Sequence, residues 1–163
     1  NKTTFGLVKL VQDAINANTD LALFKNIIIN FEHPSEEVYI EADKDSLYQV
    51  INALLNNAVR FTDELGRVKV VVNNFVREVE IIVSDTGIGI SEEDQPYIFQ
   101  RFFRVSRRLS DIASIGVGLV FVKQIIDLHK GLITVQSEPG SGTTFLVKLP
   151  KRSKFEKNEG NLE

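Results

Sequence analysis

The chain has 163 residues, 43% of them apolar, with a formal net charge of -3 and neither cysteine nor methionine. That length suits one well-filled core, the near-neutral charge excludes nucleic acid as a main partner, and the missing cysteines exclude disulfides and thiolate metal sites and suit a reducing compartment. No apolar run approaches the roughly 20 residues that cross a bilayer, and the opening NKTTFGLVKL lacks the charged and apolar regions of a signal peptide. The piece is therefore expected to be soluble and cytoplasmic, without direct membrane contact. A chain that starts at Asn1 and holds no methionine reads as part of a longer protein, which leaves room for a membrane anchor upstream.

From Thr4-Phe5-Gly6 the chain opens into Leu7, Leu10, Val11, Ala14 and Ile15, the spacing of an amphipathic helix. Short β-branched runs at 26–31 and 38–40 flank the turn His33-Pro34-Ser35. The longest helical stripe follows, Leu47, Val50, Ile51, Leu54, Leu55, Ala58 and Val59, capped by Asp43 or Asp45 and ending near Phe61. Two strands, 68–75 and 79–83, come after Gly66, and Ser91-Glu92-Glu93-Asp94 starts a short helix with acid in its first turn. From Arg104 to Ile115 the periodicity fails, as in a functional loop or lid. Gly116-Val117-Gly118 restarts order in a helix ending at Lys130-Gly131, and strands 132–136 and 143–149 close the core across a Pro-Gly turn. The sum is a two-layer α/β (α+β) sandwich, a mostly antiparallel sheet with helices on one face, spanning 1–150 and followed by a charged tail, 151–163.

Three features point to chemistry. In DTGIGI, Asp85 ends an apolar strand where a carboxylate has no packing role, and Gly87 and Gly89 follow. A lone G-x-G is usually a strand-to-helix turn, but a carboxylate held out of water suits a ligand that offers an N–H, such as the adenine amine. A second pair, Gly116 and Gly118, opens a helix, where free N–H groups and the positive dipole end favour phosphate oxygens. In LLNNAVRF, Ala53, Asn56, Asn57 and Arg60 share a helix face. A solvent-facing polar stripe accounts for Asn56, whereas Asn57 lies among Leu54, Leu55 and Ala58, and its amide oxygen is a hard ligand suited to Mg²⁺.

In order, LLNNAVRF, DTGIGI, YIFQRFFR, GVGL and GSGTTF resemble the N, G1, F and G2 boxes and the terminal strand motif of bacterial sensor histidine kinase catalytic domains, of the GHKL superfamily. The resemblance runs from Phe5 to Pro150. It implies a Bergerat-type fold, a mixed five-stranded sheet with three helices on one face, binding ATP and Mg²⁺ under a lid. Asn57 matches the Mg²⁺-binding asparagine, and Arg60 stands in place of a phosphate-contacting lysine. Phe61 would flank the adenine, Asp85 would accept from its amine, and Gly87 and Gly89 would let the nucleotide lie against the backbone. Phe99, Phe102 and Phe103 match the F box, at least one of them expected in the core. Arg104 matches an arginine near the γ-phosphate. Gly116, Gly118 and Leu119 form the G2 box, and Thr144 matches a small polar residue near the aspartate.

The departures shape the expected activity. Ala53 stands where relatives carry a polar group and where water-activating members of the superfamily carry a glutamate base, so hydrolysis is disfavoured as the main reaction. Ser114-Ile115 replaces a glycine-threonine pair and removes a hydroxyl from the lid. Of the two histidines, His33 reads as a turn residue and His129 as a structural one, placed at a helix end that favours a cation. The resemblance therefore implies transfer of the ATP γ-phosphate to a histidine of an upstream dimerisation domain, in a homodimeric protein that serves a response regulator receiver domain. A degenerate module that signals by docking is the alternative, motivated by Ala53, Ser114 and Ile115, and a protein-serine kinase of the superfamily would want the missing glutamate.

Overall fold

In the computed structural model the described residues are 1–100 and 115–152, with the backbone alone for 115–118. The elements run β1 (Thr3–Gly6), α1 (Leu7–Phe24), β2 (Ile28–Glu32), β3 (Tyr39–Ala42), α2 (Lys44–Phe61), β4 (Arg67–Asn74), β5 (Glu78–Asp85), a 3-10 turn (Gln95–Tyr97), α3 (Ile115–Leu128), β6 (Leu132–Glu138) and β7 (Gly142–Pro150). The main sheet has the order β2-β4-β5-β7-β6, parallel between β2 and β4 and antiparallel elsewhere. The three helices complete the expected α/β architecture.

Alternation along the strands builds the interface between the layers. Val68, Val70 and Val72 of β4, Val79, Ile81 and Val83 of β5, and Phe145, Val147 and Leu149 of β7 are buried, while the residues between them are not. They meet the apolar stripes of α1 and α2 and the Leu119, Val122, Ile125 and Ile126 stripe of α3. Each such side chain contributes roughly 1.5–3 kcal/mol by leaving water. Every residue of the expected α2 stripe is buried.

The helix ends show what local patterning left out. Thr3–Gly6 is a strand rather than the first turn of α1, pairing with β3 so that Phe5 faces Ile40. Gly6 makes no side-chain cap for α1. Glu37, from the loop before β3, accepts from the amides of Val8 at 2.7 Å and Lys9 at 3.1 Å, placing a carboxylate at the positive end of the helix. α2 starts as expected, with Asp43 accepting the Ser46 N–H at 3.1 Å; that bond is the main cause that lowers the Asp43 pKa. His129 at the end of α3 accepts the Asp43 N–H at 3.1 Å through Nε2, and its Nδ1 lies 2.8 Å from the Ile125 carbonyl oxygen. His129 is thus structural but acts as a neutral acceptor, not as the cation expected at a helix end. His33 is exposed, just after β2, as a turn residue should be. Among the described residues no helix is long and apolar enough to cross a membrane.

Candidate functional site

β5 ends at Asp85, directly opposite Thr143 at the start of β7. Since Val79, Ile81 and Val83 face the helices, the pleat turns Asp85 to the same side. Its Oδ1 accepts the N–H of Gly87 at 2.8 Å and that of Thr143 at 3.2 Å. Oδ2 has no hydrogen-bond partner among the described residues. Burial raises the carboxyl pKa to about 6, against the opposing pull of the two amides. A carboxylate with one oxygen fixed by the backbone and the other unused is an acceptor prepared for an N–H donor.

The two glycines after it stand where backbone approaches closely, and Gly89 also where φ is positive. A Cβ at Gly87 would lie 2.3 Å from the Phe61 carbonyl oxygen, and at Gly89, where φ is +73°, 2.1 Å from that of Glu138. The room in the Cβ direction is filled by the end of α2 and by the β6–β7 turn. Ile88 N–H donates to the Phe61 carbonyl at 3.1 Å, so the Asp85 loop is fastened to α2.

On α2, Asn57 is half-buried without a hydrogen-bond partner among the described residues, and Arg60 one turn on is exposed. Phe61 packs partly against the core. Lys25, just after α1, donates through Nζ to the carbonyls of Val59 and Arg60, both at 2.9 Å. With the Phe61 carbonyl taken by Ile88, three successive carbonyls at the end of α2 are satisfied by groups distant in sequence. Asn56 is not simply a solvated amide. Its Nδ2 donates to Asn18 Oδ1 at 3.3 Å, while Asn18, only 4% exposed, donates to the Ala14 carbonyl and to Asn52 Oδ1, each at 2.8 Å.

Two further expectations are corrected. Thr144 lies opposite Ser84, its hydroxyl against the serine hydroxyl, on the sheet face away from Asp85. Thr143 occupies the position beside the carboxylate, because side chains alternate with period two and the motif had been read one residue late. Leu119 is 1% exposed and belongs to the core stripe of α3, so it supports the helix rather than lining a cleft. Gly116 and Gly118 lie in the first turn of α3, where the expected helix N-terminus is found. Phe99 is partly buried and packs against the core, edge-on to Phe145 with ring centroids 6.3 Å apart. Arg104, Phe102, Phe103 and Ser114 lie outside the described residues. Lys25, Glu37 and Thr143 were missed: the first two act across long sequence separations, whereas the third was legible from the alternation alone.

The model of the histidine kinase-, DNA gyrase B-, and HSP90-like ATPase family matches residues 42–153. Sensor histidine kinase RppB of Synechocystis is 35% identical over 142 residues, 86% of this chain and 31% of that protein. Sensor histidine kinase WalK of Bacillus subtilis is 34% identical over 126 residues, 76% of this chain and 21% of that protein. The chain thus spans under a third of the length of these relatives. The solved catalytic domain of histidine kinase ThkA superposes with a TM-score of 0.83 at 28% identity, covering 94% of this chain and 99% of that one. The chain belongs to the histidine kinase-, DNA gyrase B- and HSP90-like ATPase family, as an ATPase-type catalytic domain of the histidine kinase kind.

Proposed function

We propose that this domain binds ATP with Mg²⁺ and transfers the γ-phosphate to a histidine supplied by an upstream dimerisation domain of a homodimeric sensor kinase, from which a response regulator receiver domain takes it. The observation that carries the reading is the Asp85 carboxylate, with Oδ1 held by Gly87 and Thr143 and Oδ2 unpartnered among the described residues. A half-buried acceptor selects a base that presents an exocyclic amine, because a base with a carbonyl there would leave both oxygens facing each other. The partner reading is supported by ThkA, solved in complex with response regulator protein TrrA, which superposes at a TM-score of 0.77 and 28% identity over 92% of this chain and 42% of that one.

The residues on α2 fit the metal. Asn57 offers an unpartnered amide oxygen, and among the described residues no cluster of three acidic or imidazole side chains forms a cage of its own, so the remaining ligands would come from phosphate and water. Bound there, Mg²⁺ would supply charge neutralisation on the phosphates. Arg60 is exposed one turn beyond Asn57, where its guanidinium would offset negative charge on the same groups. The α3 N-terminus adds free backbone N–H groups through Gly116 and Gly118. The acceptor imidazole nitrogen would form a bond to the γ-phosphorus as the bond to the β,γ-bridging oxygen breaks; ADP leaves, and the imidazole gives its other N–H proton to solvent. Ala53, one turn before Asn57, carries no base for water, which favours this acceptor over hydrolysis.

The test is calorimetric titration of the chain with ATP, with and without Mg²⁺, for wild type, Asp85→Asn and Asn57→Ala, followed by phosphohistidine assay of the full-length protein. Binding lost in the first variant and insensitive to Mg²⁺ in the second is expected. A folded wild type that binds no nucleotide would favour the docking module instead. Nucleotide binding without phosphohistidine in the full-length protein would overturn the transfer step alone.

A further inference from the structure

The end of the sheet opposite Asp85 breaks several local rules at once. β4 and β5 are joined by Phe75, Val76 and Arg77, where hairpin loops ordinarily use glycine, asparagine or aspartate. Val76 is 92% exposed and Phe75 46%, so neither is there for the core. Beside them Leu132 opens β6 at 53% exposure. Lys130, between α3 and β6, has φ +58°, the left-handed turn by which the chain leaves α3, with the Gly131 N–H donating to the Ile126 carbonyl at 2.9 Å. Departures from local preference with no gain in packing mark surfaces kept for contact.

These residues line one groove of about 540 Å³, whose apolar lining is Phe75, Leu132, Leu149 and Pro150, with Val76 at its exposed rim. Its charged lining is Arg77, Lys130 and Lys148 against a single carboxylate, Glu78, whereas the whole chain carries a net -3. None of the three cations has an ion pair among the described residues. Glu80 lies opposite Lys148 in register but does not line the groove. β5 separates the groove from Asp85 by seven residues, about 23 Å at the usual rise per strand residue, so an occupant here leaves the nucleotide site clear.

We propose that this groove is a docking site for an acidic polypeptide segment that inserts one or two apolar side chains between Phe75, Val76 and Leu132 while its carboxylates meet Arg77, Lys130 and Lys148. Charge complementarity sets the sign of the partner: three unpaired cations around an apolar floor attract carboxylates and repel basic segments. The concave shape favours a side-chain anchor over a flat lipid surface, and Glu78 within the lining opposes an anionic membrane. The site stands apart from the nucleotide reading and survives its failure.

The experiment titrates isotope-labelled full chain with a synthetic twelve-residue peptide of alternating glutamate and leucine, and with matched glutamine–leucine and lysine–leucine peptides, following backbone amide shifts. The glutamate peptide is expected to shift residues 75–78, 130–132 and 148, to bind about tenfold more weakly in Arg77→Glu, and to weaken with added salt. Val76→Asp, at a fully solvated position, should also weaken it while leaving ATP titration unchanged. Equal binding of the glutamine peptide, or shifts outside the groove, overturns the proposal. Binding of phosphatidylglycerol vesicles without the peptide assigns the surface to membrane instead, and self-association that Val76→Asp abolishes assigns it to a second copy; either result overturns it too.

Discussion

His129 Nε2 accepts the backbone N–H of Asp43 at 3.1 Å, joining the first residue beyond α3 to the cap of α2. The ring must be neutral at Nε2, with its other nitrogen donating to the Ile125 carbonyl. This contact ties the start of α2 to the end of α3, the ends away from Asn57 and the Gly116–Gly118 turn. His129→Ala leaves the Asp43 amide without its partner and should lower stability by about 1–2 kcal/mol, or about 3–6 °C in Tm for a chain of this size, measured by urea and thermal unfolding. An unchanged midpoint would mean that water replaces the imidazole at no cost.

Asp85→Asn should stabilise the protein while removing its ligand. In the folded state the carboxyl titrates at about 6 against an ordinary 3.8, so the fold binds the proton more tightly than the unfolded chain does. The stabilisation from that proton is fully present below pH 3.8 and lost as pH rises through about 6, leaving a buried charge at neutral pH. Asparagine keeps an acceptor for Gly87 and Thr143 without the charge. Its gain should be on the order of 2 kcal/mol at pH 8, shrinking toward pH 4, by urea titration across pH. Wild-type ATP affinity should decline below about pH 6, as the carboxylate is protonated; flat affinity from pH 5 to 8 would remove Asp85 from the base contact.

Lys25 is expected to act on the nucleotide end of α2 without touching it. Lys25→Met deletes the ammonium from the Val59 and Arg60 carbonyls and should cost about 1 kcal/mol of stability. The same variant should weaken ATP more than ADP, because Arg60 is the residue displaced. Lys25→Arg, which keeps the charge, should recover most of both. Equal weakening of the two nucleotides would reduce Lys25 to a general stabiliser.

Gly87→Ala puts a carbon 2.3 Å from a backbone oxygen of α2 and 2.8 Å from Asp85 Oδ1. The nearer neighbour is backbone and the Asp85 carboxylate is held by the Gly87 and Thr143 amides, so loss of more than about 2 kcal/mol is expected together with loss of nucleotide binding. Wild-type stability with binding alone abolished would restore the reading in which the glycine makes room for the ligand.

Much of this architecture is legible along the chain because its signals are local and periodic. The α2 stripe from Leu47 to Val59, the Asp43 cap and the β4 and β5 alternation each follow from residues within a few positions of one another. The misreadings arise where the deciding partner is remote. Thr3–Gly6 joins a two-stranded ribbon only because β3 arrives 36 residues later, with Thr3 paired to Ala42 after Glu37 has already capped α1. Asn56 looks solvated until Asn18 is packed beside it. At the candidate site, motif order singled out Asp85, Asn57 and Arg60, but the one-residue error at Thr144 shows that a motif match does not fix which face a strand residue takes. Only the register against Asp85 does.

The strand order β2-β4-β5-β7-β6 has a consequence for how the domain breathes. β5 is flanked by antiparallel partners on both sides from Val79 to Asp85, whereas β2 and β6 each have a partner on one side among the described residues. Amide protons in β5 should therefore exchange with solvent only through global opening, and those of β2 and β6 through local fraying. The carboxylate assigned to the base is mounted on an interior strand of the sheet, so edge fluctuations that loosen the periphery leave the proposed anchoring point of the ligand in place.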